Sequence, residues 1–172
     1  MPENIEIKAR ARCWDHQRGI ASAMADSTEE LVQEDIFFAC PRGRLKLRVF
    51  EDGQAELIAY QRKDAAGPKP SSYEIVTVTD PAALRGMLRR SLGEIGTVRK
   101  WRTVFLVEQT RIHFDEVENL GRFIEIEVVL REGQSRSGGH DIAEQVMTDL
   151  GIETDDLVEG AYLDILSNRQ ST

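Results

Sequence analysis

The chain has 172 residues, 41% hydrophobic and 30% charged, with a net charge of -8. That length predicts one domain over residues 1–172, with enough apolar content for a core. The acidic balance argues against a nucleic-acid polymer or a membrane surface as partner. No apolar run reaches the roughly 18 residues of a spanning helix, and the N-terminus has no signal-peptide core, so a cytoplasmic location is expected. Cys13 and Cys40 form no motif and fit buried or half-buried thiols in a reducing compartment.

In chain order, Ile5 to Cys13 alternates and predicts a first strand. Asp15 is placed to cap a helix running to about Ala25. Short or alternating runs at Asp35 to Cys40, Arg44 to Glu51 and Ala55 to Arg62 predict three more strands. Asp52-Gly53 between two of them is a strong hairpin signal. Asp64 to Ser72 is rich in Gly, Pro and Ser and predicts a loop, with Lys69 a solvated lysine on it. A strand follows at Tyr73 to Thr79. Asp80-Pro81 then opens a helix with an apolar stripe of Leu84, Met87, Leu88 and Leu92.

Three further strands are predicted at Val98 to Glu108, Thr110 to Val117 and Arg122 to Arg131, the last two joined by Asn119-Leu120-Gly121. Arg131 to Gly139 is a second loop. A third helix runs from about His140 to Leu150, with Gly151 closing it in the left-handed conformation. Many strands on short connections suggest an antiparallel barrel or a strongly curved sheet, with the helices outside.

The strand faces carry the functional signal. Successive side chains on a strand point to opposite faces. Phe123-Ile124-Glu125-Ile126-Glu127-Val128 therefore puts two carboxylates on one face and isoleucines on the other. Like charges so placed repel unless a cation lies between them, and hard divalent cations take oxygen ligands. Arg44, Lys46 and Arg48 share a face, as do Lys100 and Arg102, and as do Arg111, His113 and Asp115. Each strand alone fits a solvated outer face. Together, the segregation of sign by strand and the helices' need for an apolar sheet face favour charges that point inward. A charged interior is costly unless a charged ligand completes it. Cations with a few carboxylates match a polyphosphate and a divalent metal, the arginines gripping phosphate oxygens in forked geometry.

Glu6, Lys8 and Arg10 share a face in Asn4-Ile5-Glu6-Ile7-Lys8-Ala9-Arg10, whose first five residues resemble the Glu-x-Glu-x-Lys strand of the CYTH superfamily, the triphosphate tunnel metalloenzymes. Asn4 stands at the family's first glutamate and offers a carbonyl oxygen without charge. Gln33-x-Asp35-x-Phe37-Phe38, then Arg44, Lys46 and Arg48, Tyr60 and Arg62, and Lys100 and Arg102 resemble the family's later strands. Arg111, Asp115, Glu118, Gly121, Glu125 and Glu127 resemble its closing acidic hairpin. Gly160-Ala161-Tyr162 with Asp164-Ile165-Leu166 resembles its C-terminal element. The likeness runs over nearly the whole chain and is nearest to the class IV adenylate cyclase-like and thiamine triphosphatase-like branch.

The resemblance implies an α+β fold: an eight-stranded antiparallel β-barrel, or tunnel, with helices packed outside. It implies magnesium or manganese held by Glu6, Glu125 and Glu127, with Asp115 a further ligand. Lys8, Arg10, Arg44, Lys46, Arg48, Arg62, Lys100, Arg102 and Arg111 would bind the substrate's phosphates, with Glu6, Lys8 and Arg62 catalytic. The implied partner is a small molecule carrying a triphosphate, and a homodimer is left open. Class IV cyclase chemistry converts ATP to cyclic AMP and pyrophosphate. The alternatives are a triphosphate phosphohydrolase and a polyphosphate- or nucleotide-binding protein without turnover. His113 lies on the tunnel side, as a phosphate ligand or acid or, more simply, as a hydrogen-bonded structural histidine. Trp101 should face the outer layer.

Overall fold

The computed structural model describes residues 1–171. Its eight strands are β1 (Glu3–Arg10), β2 (Ser27–Phe38), β3 (Arg44–Phe50), β4 (Ala55–Arg62), β5 (Lys69–Val78), β6 (Glu94–Val107), β7 (Thr110–Val117) and β8 (Gly121–Val129). The helices are α1 (Trp14–Met24), α2 (Pro81–Ser91), α3 (Arg136–Asp149) and α4 (Tyr162–Gln170). The strands close into a barrel in the order β1-β5-β4-β3-β2-β6-β7-β8, and every neighbouring pair is antiparallel. The barrel can close because the β1–β8 register matches alternation to alternation: Ile5, Ile7 and Ala9 lie opposite Val128, Ile126 and Ile124. A slip by one residue would exchange the apolar and charged faces of the strand.

The apolar core lies outside this barrel, between its outer face and the helices. Ile5, Ile7, Ile112, Phe114, Ile124 and Ile126 pack against Trp14 and Ala21 of α1 and Ala143 and Val146 of α3. Each fully buried side chain of this kind contributes about 1.5–3 kcal/mol. Gln17 ties the two helices to one another. Its side chain accepts from the Cys13 amide at 3.1 Å and donates to the Leu150 carbonyl at 3.1 Å. Leu84 and Leu88 of α2 cover Ile36, Phe38, Leu47 and Ala55. Tyr162 and Leu163 of α4 pack on Phe37, Val98 and Phe123. α4 thus covers one end of the barrel, below the strand ends at Arg10, Arg44 and Phe123.

Several local signals act as expected. Asp80 accepts a hydrogen bond from the Ala83 amide at 3.0 Å, with Pro81 in the first turn of α2. Gly53 turns the β3–β4 hairpin at φ 87°, and Gly151 follows α3 at φ 63°.

Others differ. Asp15 lies in the first turn of α1, where Cys13 is the capping residue. Met87 and Leu92 of the α2 stripe are exposed, and so is Cys13. β2 begins at Ser27, eight residues before the expected Asp35, because Ser27 to Glu34 pairs along β6. Pairing with a long neighbour overrides the poor strand propensity of Glu29-Glu30. β5 begins at Lys69, whose segment pairs with β1. α3 begins at Arg136, capped by Ser135, whose hydroxyl accepts from the Gly138 amide. α4 was not among the expected helices.

α3 approaches β1 at Gly139, where an added Cβ would lie 2.7 Å from Ile5 Cγ1. Gly139→Val should cost about 1–3 kcal/mol through overpacking. Chemical denaturation would show it as a lowered midpoint at unchanged slope, and an unchanged midpoint would mean that α3 does not sit this close to β1.

Candidate functional site

The inner faces of the strands surround a cavity of about 440 Å³. Alternation places Asn4, Glu6 and Lys8 of β1 on its wall, with Gln33 and Asp35 of β2 and Lys46 and Arg48 of β3. Tyr60 and Arg62 of β4, Lys100 and Arg102 of β6, Arg111 and His113 of β7, and Glu125 and Glu127 of β8 complete the polar surface.

Two charge clusters divide the wall. On β2, β3 and β6, three cations converge on Asp35. Lys46 Nζ lies 2.9 Å away, Arg48 Nε 2.7 Å and Lys100 Nζ 2.8 Å. Burial alone would raise the Asp35 pKa, but Arg48, Lys100 and Lys46 outweigh it and hold the group well below the usual carboxylate range. Burial pushes Lys100 down to about 7 and Lys46 to about 8, the neighbouring Arg48 adding to the effect and Asp35 opposing it.

The second cluster lies on β1, β7 and β8. Register sets Glu6 beside Glu127 and Lys8 beside Glu125, with Arg111 and His113 opposite the same two glutamates. Glu127 pairs with Arg111 at 2.9 Å, and Glu125 lies 3.6 Å from both Lys8 and Arg102. Burial opposes ionisation of Glu125, but Lys8, Arg102 and His113 keep it well below the usual range. Burial pushes His113 down to about 4, so it is neutral at pH 7. Donor atoms of His113, Glu125 and Glu127 all lie within 4.8 Å of one another. His113 Nδ1 has no hydrogen-bond partner among the described residues. His113 Nε2 lies 4.0 Å from Glu127 Oε2. Two carboxylates and a neutral imidazole fit a divalent cation, the oxygens suiting magnesium or manganese.

Most of the expected site residues meet here. Lys8 donates to the Gly160 carbonyl at 3.0 Å, and Glu6 is ion-paired with Arg62. Glu6 therefore adjoins the Glu125–Glu127 pair through the backbone, while its side chain turns to Arg62. Arg62 keeps Nε and Nη2 without partners among the described residues, as Asn4 does its Oδ1.

Three expected residues lie elsewhere. Arg10 is exposed at the last paired position of β1, outside the cavity lining, its guanidinium 5.2 Å from the Phe123 ring. Arg44 is held outside the cavity by Asp64 and Asp164, at 3.1 and 2.8 Å. Asp115 is fully buried in the floor of the barrel over α4, bound bidentately by Arg102 and accepting from the Tyr162 hydroxyl at 2.7 Å. With its oxygens so engaged it positions Arg102 rather than joining the metal-ligand group.

Lys69 corrects a different expectation. It is a buried β5 residue, 4% exposed, opposite Glu6 in the register, not a solvated loop lysine. Burial, then Arg62, lower its pKa to about 8, against the pull of Glu6. The loop composition of Asp64 to Ser72 hid it, and its two-residue phase with Ser71 and Tyr73 was the available signal. Trp101 faces outward, 45% exposed.

The sequence matches the CYTH domain family over residues 2–162. No curated protein matches it. Among solved structures, a Pyrococcus horikoshii OT3 protein is 23% identical and superposes with a TM-score of 0.82, over 94% of this chain and 98% of that one. An adenylate cyclase candidate from Vibrio parahaemolyticus is 19% identical, with a TM-score of 0.78 over 95% and 97%. An adenylyl cyclase candidate from Hippeastrum with a dominant triphosphatase activity is 18% identical, with a TM-score of 0.64 over 98% and 96%. At these identities the structural likeness shows the shared fold alone. With the family match spanning nearly the entire sequence, the chain belongs to the CYTH family.

Proposed function

We propose that this protein is a divalent-metal-dependent enzyme acting on a triphosphate inside the barrel, in the manner of class IV adenylate cyclases. The observation that carries the reading is the cluster at Asp35, where three cations share one carboxylate in a closed interior. Burying unmatched positive charge is costly, and a polyanion offsets it. Arg48 and Lys100 would hold phosphate oxygens, and the two unpartnered donors of Arg62 would hold more. Glu125 and Glu127, with His113, would hold magnesium or manganese, which supplies Lewis-acid neutralisation of phosphate charge when bound. Glu6 lies within reach by register.

Attack by the ribose 3′-oxygen of ATP on the α-phosphorus gives cyclic AMP and pyrophosphate. Attack by water on the terminal phosphorus gives inorganic phosphate and a diphosphate. Hydrolysis is the second reading. The triphosphatase activity of the Hippeastrum neighbour supports the same alternative. Asn4, which removes one negative charge from β1, is the feature that fits binding without turnover.

Incubation with ATP, tripolyphosphate or thiamine triphosphate, with magnesium or manganese, should yield product only when metal is present. Cyclic AMP identifies the cyclase, free phosphate the hydrolase, and tight binding without product a binding protein. Glu125→Gln and Glu127→Gln should each lower turnover by about a hundredfold. Metal-dependent turnover that survives both changes would refute this ligand assignment.

Proton linkage gives a second test. Lys100 and Lys46 release protons at lower pH than an ordinary lysine, near 7 and 8. A bound polyanion favours their charged forms and raises both values. Tripolyphosphate binding at pH 8 should therefore take up protons, and uptake should vanish at pH 6, where both lysines are already protonated. Calorimetry in buffers of different ionisation enthalpy measures this, and pH-independent proton uptake would mean that these lysines do not meet the phosphates.

A further inference from the structure

Glu125 differs from the other carboxylates of the barrel interior in how its cations meet it. Asp35 holds three cations at 2.7 to 2.9 Å, Asp115 holds Arg102 at 2.6 Å, and Glu127 holds Arg111 at 2.9 Å. Glu6 is paired directly with Arg62. Two cations flank Glu125, Lys8 and Arg102, and both stop 3.6 Å from the same oxygen, Oε1. A charge-assisted hydrogen bond closes to about 2.7–2.9 Å. Two buried cations beside a buried carboxylate would close that gap unless other groups held them back.

One residue of the C-terminal segment bears on both. Lys8 Nζ stands 4.1 Å from the centre of the Tyr162 ring and donates to the Gly160 carbonyl at 3.0 Å. The negative face of an aromatic ring attracts an ammonium, most of all where water is excluded. Arg102 is forked onto Asp115 at 2.7 and 2.6 Å, and the Tyr162 hydroxyl donates to Oδ2 of that same carboxylate at 2.7 Å. Tyr162 is itself fixed. It is 5% exposed, and its ring centroid lies 5.1 Å from that of Phe123. The next turn is anchored by Asp164, which accepts from the Ala161 amide at 2.7 Å and pairs with Arg44 at 2.8 Å.

A metal ion at Glu125 competes with these two cations for the carboxylate. At an effective dielectric of about 20, closing one cation from its present distance to hydrogen-bond contact strengthens its hold roughly tenfold at most. Cations kept at a distance offset the charge of Glu125 without occupying its oxygens.

We infer, resting on the metal reading above, that Tyr162 is a positioning residue for the metal site. Its ring holds back Lys8, and its hydroxyl, through Asp115, holds back Arg102, so that Glu125 stays open to a divalent cation. The C-terminal segment is thereby part of the site as well as its floor.

The test measures manganese binding without phosphate, by calorimetry and by the electron paramagnetic resonance of the free ion. Thermal melting checks that each variant folds. Tyr162→Leu keeps apolar packing and frees both cations, and should weaken manganese about tenfold. Tyr162→Phe keeps the ring and loses the hydroxyl, and should weaken it about threefold. In a Lys8→Met background, Tyr162→Leu should cost only about threefold, because one of its two routes is gone. A merely structural role for α4 would cost the same in both backgrounds. Equal losses in the two backgrounds, or a Tyr162→Leu variant that binds manganese like the wild type, overturn the inference. If Tyr162→Leu does not melt cooperatively, Tyr162→Phe decides: a threefold loss supports the inference, and unchanged affinity overturns it. If the wild type binds no manganese, the metal reading itself fails and the inference with it. Wild-type binding that the Tyr162 variants leave intact refutes only the role of Tyr162.

Discussion

A closed barrel that keeps its charges inside must neutralise them without water. Lys100 is 1% exposed and Asp35 2%, and their salt bridge is part of a four-residue knot with Lys46 and Arg48. One carboxylate cannot match three cations, and burial, with Arg48 adding to it, lowers the pKa values of the two lysines. On the opposite wall, Glu6, Glu125 and Glu127 each lean on a different cation. Such an interior gains little stability from its ion pairs, because desolvation opposes each one. Its stability comes from the apolar faces turned outward beneath α1, α2 and α3 and from the plug that α4 makes at one end, which frees the inner face for chemistry.

The same alternation therefore specifies both the fold and the site. Ile124 and Ile126 bury against helices while Glu125 and Glu127, between them, line the cavity. Register carries this across strands. Ile7 opposite Ile126 fixes Glu6 opposite Glu127, so packing of the outer layer positions the carboxylates of the inner one. Asp115 extends the principle: locked by Arg102 and Tyr162, it aims Arg102 at the cavity and fastens the floor beneath it.

The strands with strict alternation were legible in the sequence, and with them the inward cations of β3 and β6 and the carboxylates of β8. What the sequence hid was set by tertiary pairing or by composition. The first half of β2, which carries Glu29, Glu30 and Glu34, becomes a strand through its long pairing with β6. Lys69 sits between two prolines, which masked a strand that β1 imposes. α4 buries only Tyr162 and Leu163, too short a stripe to announce a helix. Arg10 and Arg44 obey the right phase but lie past the end of the cavity, and phase alone does not say where a tunnel stops. His113 has the right phase too, and only the fold shows that its ring meets both glutamates.

The basic wall on β2, β3 and β6 faces the carboxylates of β1 and β8 across a space of small-ligand size, and the account rests on a polyanion and a divalent cation joining the two. A crystal structure of the protein soaked with tripolyphosphate and manganese tests this most directly. The account predicts phosphate density on Arg48 and Lys100 and an anomalous manganese peak at Glu125 and Glu127. Phosphates bound outside the barrel, or manganese away from both glutamates, would contradict it.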